Sequence, residues 1–115
     1  MAIAKTSAKF RKGGDSLAYT PSAAVAAGAL VVVGKLVCLA QWPIAAGEAG
    51  TLKVLHRGEV VEVTTDEALG ETAAGTAIYV TSAGLVTTTS TSNTLVGCAA
   101  AAIGATDKTF EIVCA

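Results

Sequence analysis

The stretch Gly84–Ala99, GLVTTTSTSNTLVGCA, decides how the chain is read, because six consecutive hydroxyl residues, Thr87 to Ser92, stand between two short apolar runs. A mucin-like stalk or flexible linker would carry prolines and run longer, and no proline lies here. The flanks settle the matter. Ser82-Ala83-Gly84 separates two strand-like runs and offers glycine for a left-handed turn position, and Ser92-Asn93 turns the chain into TLVGCA. The Thr run is then expected to be a middle strand, its branched side chains suited to a pleated surface half in water.

Working outward, the same grammar recurs. Leu30–Val33, Leu36–Ala40, Thr51–Arg57, Glu59–Thr64, Thr76–Thr81, Thr94–Ala102 and Thr109–Ala115 are short, rich in β-branched residues and bounded by Gly, Asn, Asp or Pro. In Thr51–Arg57, Leu52, Val54 and His56 alternate with Lys53, Leu55 and Arg57, the pattern of a strand with one covered face. Only Thr64–Gly75 hints at helix: one turn, with Thr65 as N-cap before Asp66 and Glu67 and Gly70 as its end. The expected fold is all-β, a small β-sandwich or barrel of short strands with at most one short helix.

Ala-Ala-Gly occurs at 26–28, 45–47 and 73–75, each soon followed by a strand candidate. The intervals of 19 and 28 residues are unequal, which reads as recurrent turn chemistry rather than a repeat architecture.

A chain of 115 residues suits one domain. Its apolar fraction is 52%, but 24 residues are Ala, and a large side chain contributes ~1.5–3 kcal/mol on burial where Ala contributes far less. Such a thin core calls for a partner surface or self-association. Among the few aromatics, Trp42 is placed in the core rather than at an exposed contact.

Charge is uneven. Residues 1–12 hold Lys5, Lys9, Arg11 and Lys12 and no acid, whereas the rest of the chain carries four cations against nine acids. This divides the molecule into an extended basic N-terminal arm, 1–15, and a β domain, 16–115, with the arm suited to lie along an acidic partner surface. Small residues interrupt the cations and Phe10 is their one aromatic neighbour, so a nucleic-acid partner is not indicated. Ala23–Ala40 is apolar, but its N-terminal half is mostly Ala and Lys35 sits in the other, which argues against a membrane span. A secretory signal is the rival reading of that run, though Asp15 and Pro21 precede it.

Sites for chemistry are absent from the pattern. Gly28–Leu36, GALVVVGKL, puts Gly34 beside Lys35 as a phosphate loop would, but five residues separate the glycines instead of four and Leu36 stands where Ser or Thr would hold Mg²⁺. A strand turning tightly at Gly34-Lys35 is the better reading. His56 is the sole imidazole and has neither a GxSxG elbow nor an HExxH around it, so it is read as a strand side chain. Glu59, Glu62, Asp66, Glu67 and Glu71 match no calcium loop and read as a solvated face. Cys38, Cys98 and Cys114 lie in apolar runs without CxxC spacing, as buried reduced thiols do, so no zinc or other cofactor is expected.

The order of segments from Ala46, with Gly50, Gly58, Gly75, Tyr79, Gly84, Thr87, Thr88, Asn93, Leu95 and Gly97 at recurring places and TFEIVCA at the end, resembles the small phage capsid cement (head decoration) proteins. Gly14–Ala40 is similar to that family's first strands. The resemblance implies a non-enzymatic virion protein, made in the host cytoplasm, that binds the major capsid protein on the outside of the mature head as a homotrimer. It would stabilise the shell against packaged DNA without a cofactor. The arm residues Lys5, Lys9, Phe10, Arg11 and Lys12 would then be capsid contacts. Relatives are sometimes labelled RecA-type recombinases, a role the failed phosphate loop does not support. A secreted β-sandwich binding module is the alternative reading, and a nucleotide-dependent recombination factor the third.

Overall fold

The two most β-branched runs pair with each other. Leu30–Val33 (β2) and Leu36–Leu39 (β3) form an antiparallel hairpin in which Val33 faces Leu36 across Gly34-Lys35. Gly34 adopts φ 63°, the glycine-first choice of a II′ turn, so the expected tight turn is present.

The computed structural model describes residues 16–115, which contain nine strands and no helix. The others are β1 (Ser16–Tyr19), β4 (Gly50–Val54), β5 (Val60–Thr64), β6 (Ala77–Val80), β7 (Val86–Thr87), β8 (Thr94–Ala99) and β9 (Thr109–Cys114). They make two antiparallel sheets, ordered β1-β4-β3-β2 and β5-β9-β8-β6-β7. The all-β expectation holds. β1 was not among the strands read from the residues, since SLAY is short and its side chains are at most half-buried.

Without β7 the two sheets have one topology: β1, β4, β3 and β2 correspond to β5, β9, β8 and β6. The connections match bond for bond. Val25 and Ile44 exchange backbone hydrogen bonds of 2.8 and 2.9 Å, as do Thr72 and Ile103 at 3.0 and 2.8 Å. The Gly28 amide donates to the Ala40 carbonyl and the Ala40 amide to that of Ala29; Gly75, Ala99 and Thr76 repeat the arrangement. Gly28 and Gly75 share the left-handed conformation, at φ 85° and 83°. The expectation of turn chemistry without repeat is therefore corrected: the chain is two copies of one four-stranded unit. Unequal spacing hid it, because Gly104-Ala105-Thr106 stands where a fourth Ala-Ala-Gly would, and the β7 hairpin lengthens the second copy.

Sheet one is covered on both faces. Cys38, Ala40, Ile44 and Leu52 pack on one side, under the connecting segments, with Leu17, Val31 and Val54 partly buried around them. Val37, Leu30, Val32 and Leu55 point the other way, onto Ile78, Val80, Val96, Phe110 and Ile112 of sheet two. Ile78, Val80, Leu52 and Ile112 are fully buried, each contributing ~1.5–3 kcal/mol. β9 alternates without exception: Phe110, Ile112 and Cys114 inward, Thr109, Glu111 and Val113 outward.

Three local expectations are corrected. Thr64–Gly75 forms no helical turn, because the Thr65 amide donates to Lys108 and prolongs the β5–β9 ladder, while the Thr65 hydroxyl donates to the Glu67 carbonyl. The Thr run is not a middle strand. β7 takes only Val86 and Thr87, at the sheet edge beside β6; beyond it the Thr89 amide donates to Thr87 Oγ1, Asn93 Nδ2 donates to the Thr89 carbonyl and Ser92 turns left-handed, so side-chain bonds displace the ladder. The hairpin at Ser82-Ala83-Gly84 is as expected, closed by the Thr81 amide to the Leu85 carbonyl at 2.8 Å. Trp42 is 75% exposed, not core; Ile44 takes the interior position, packed so closely on Gly50 that a Cβ there would lie 2.7 Å from it.

Candidate interaction surface

Glu59 organises the junction between the two units. It follows the Arg57-Gly58 turn, where Gly58 adopts φ 89°, and one carboxylate oxygen accepts from the His56 amide at 2.6 Å while the other meets Lys53 Nζ at 2.9 Å. The Lys53 hydrogen bond first, and the His56 amide second, hold the Glu59 carboxyl below its ordinary range. His56 thus lies beyond the end of β4, in the loop to β5, rather than in a strand as expected. Its backbone amide is one of the two donors that fix Glu59.

Around this pair, Ser16, Gln41, Trp42 and Thr51 complete a shallow polar recess with the indole exposed at its rim. Trp42 is the surface aromatic that composition alone misplaced; its setting between Gln41 and Pro43 in a turn was the available signal. On the outer face of sheet two, Val60 lies opposite Val113, and Val113 opposite Cys98, an apolar row crossing three strands. Val60 is 54% and Leu95 46% exposed, so this face presents carbon to solvent. Isolated exposed hydrophobics are ordinary, whereas here several share one sheet face.

The thiols are free. Cys38 and Cys114 are buried, and desolvation raises both above the ordinary thiol range; Cys98 is half-buried, in the outer row. No group of His, Cys, Asp and Glu among the described residues is placed to hold a metal, and no described helix could cross a membrane. Gly34-Lys35 is a hairpin tip. Glu62 is exposed on sheet two, while Asp66, Glu67 and Glu71 lie in the β5–β6 connection. The arm residues Lys5, Lys9, Phe10, Arg11 and Lys12 lie outside the described residues.

The described residues thus form a two-sheet body with glycine-closed hairpins and exposed apolar side chains. The family model for phage cement proteins matches residues 11–114. The chain belongs to that family. Phage cement proteins are structural components of the phage capsid, and the match spans both units from before β1 to the end of β9. No curated protein and no solved structure matches the chain. Membership carries the capsid role; which surfaces this cement protein uses must come from its own geometry.

Proposed function

We propose that this cement protein is a decoration subunit that binds the major capsid protein on the outside of the mature head and secures the shell against the pressure of packaged DNA. The observation that carries the reading is the family match over the whole two-unit body. Its exposed features support it: Trp42 at a polar rim and the Val60–Val113–Leu95 face suit burial against another surface, and aromatic anchors commonly dominate such contacts. The body, 16–115, acts as one domain. The arm, 1–15, reaches a neighbouring subunit through Lys5, Lys9, Arg11 and Lys12 with Phe10 as its apolar anchor.

A homotrimer fits the energetics. An Ala-rich core gains stability from interface burial, and several weak contacts per assembly combine through effective concentration. Neither a cofactor nor catalysis enters this role. The test is quantitative mass spectrometry of gradient-purified particles, with protease treatment of intact heads. A near-stoichiometric ratio to the major capsid protein, with the chain cleaved from the outside, is expected. Absence from particles overturns the role, and complete protection in intact heads overturns the external location.

A further inference from the structure

Among the described residues β5 is an edge strand, and no other described strand pairs with its outer side, which runs along a groove. The bonds that bracket its ladder, Cys114 N–H to the Glu59 carbonyl and Thr65 N–H to the Lys108 carbonyl, set the antiparallel alternation. The amides and carbonyls of Val60, Glu62 and Thr64 therefore point away from β9. Beside them runs a groove of about 920 Å³ between the two units. All five residues of β5 line it, although their side chains alternate between the two faces, so the groove exposes the strand's edge rather than one face. Its apolar wall includes Leu30, Leu39, Leu55 and Leu69. Such an edge is a template for one more strand.

The charge of the groove is one-sided. Among the described residues, Glu59, Glu62, Asp66 and Glu67 line it against one cation, Lys53, which is paired with Glu59. On the outer face beside it Glu62 stands directly opposite Glu111, a like-charge cross-strand pair that is unfavourable by itself. The fitting occupant is an extended segment with cations on one face and small or apolar groups on the other.

The chain contains such a segment before its first described residue. From Ala4 to Arg11, Ala4, Thr6, Ala8 and Phe10 alternate with Lys5, Ser7, Lys9 and Arg11, the period of a strand with one apolar and one cationic face. The connection is short: β1 begins at Ser16, which lines the same recess as Gln41, Lys53 and Glu59, and those three also line the groove. Gly13-Gly14 supplies the freedom to turn from the first sheet to the second. Residues 4–12, extended at ~3.3 Å per residue, span about 30 Å, ample for β5 and the segment after it.

We propose that in the free protein the N-terminal arm docks on its own chain as an added antiparallel strand along the β5 edge, Phe10 and its small neighbours toward the groove and Lys9 and Arg11 toward Glu62 and Glu111. The docked arm covers an edge that would otherwise recruit other chains. It goes beyond the shell-binding role: the arm assigned to the shell leaves this edge when it engages there.

Amide hydrogen exchange by NMR on free, particle-free protein tests it, comparing the full chain with one lacking residues 2–12. Val60, Glu62 and Thr64 amides are expected to exchange about tenfold or more slowly in the full chain, independent of protein concentration. Equal rates overturn the proposal, and protection that grows with concentration overturns it in favour of a second copy. Ile112 reports whether the deletion loosens the whole sheet. Should it do so, Lys9→Glu with Arg11→Glu at full length carries the comparison; loss of protection at the three edge amides supports docking, and retention overturns the proposal. Shell binding plays no part in this readout, so its failure and that of the capsid role are separable.

Discussion

Gly97 on β8 lies so close to β9 that a Cβ built on it would stand 1.9 Å from the carbonyl oxygen of Val113. The obstacle is backbone, which no rotamer change relieves. Gly97→Ala is therefore expected to cost about 3 kcal/mol or more, the upper range for overpacking, by forcing β8 and β9 apart at the centre of sheet two. Urea unfolding would show the loss as a lower midpoint; a midpoint within error of the parent would contradict the packing.

Ile112 and Trp42 separate stability from binding. Ile112 is fully buried, so Ile112→Ala is expected to destabilise by about 2–5 kcal/mol. Trp42, mostly exposed, is expected to change stability by less than about 0.5 kcal/mol on Trp42→Ala and to weaken shell binding at least tenfold. Unaltered binding to purified heads would remove the indole from the contact surface.

The Glu59 carboxyl titrates below its ordinary value because it accepts from Lys53 and the His56 amide. A depressed folded-state pKa contributes stability that is present above the unfolded value, near 4.5, and lost as pH falls through the folded one. Glu59→Gln is expected to be less stable than the parent at pH 7, with the difference closing as the pH falls through the lowered folded-state value. A gap that persists undiminished in acid would show that the charge is not its source.

Burial raises the Cys38 and Cys114 thiols and keeps reagents from them, while Cys98 is half-buried on the outer row. Iodoacetamide at pH 8 is expected to label Cys98 first and the other two only in denaturant, read by peptide mass spectrometry. Equal native labelling of all three would contradict the packing of both clusters.

Deleting residues 2–12 is expected to weaken binding to heads while leaving the circular-dichroism spectrum of the β body in place. Binding equal to that of the full chain would exclude the arm from the shell contact.

Strand positions and their turns were legible in the residues because their causes are local. β-branched side chains favour the pleated backbone wherever they occur, and Gly34 and Gly84 take left-handed conformations that other residues resist. The regular alternation of β9 could be read without knowing what lies against it. The family resemblance was legible for the same reason, since it rests largely on glycines at turns. Side-chain burial was less so: the Gln41–Pro43 setting of Trp42 hints at a turn, but that Ile44 packs on Gly50 while the indole faces solvent depends on residues apart in sequence, and a run of Thr that suits a strand leaves the sheet when its own hydroxyls and Asn93 satisfy the backbone first. The duplication was hidden because its equivalences are made by main-chain bonds, such as Val25 with Ile44 and Thr72 with Ile103, which constrain side chains at only a few places. Local sterics and hydrogen-bonding chemistry are written residue by residue along the chain; which strand neighbours which, and which face remains open to a partner, depends on contacts between residues far apart in sequence, and only the tertiary structure decided those.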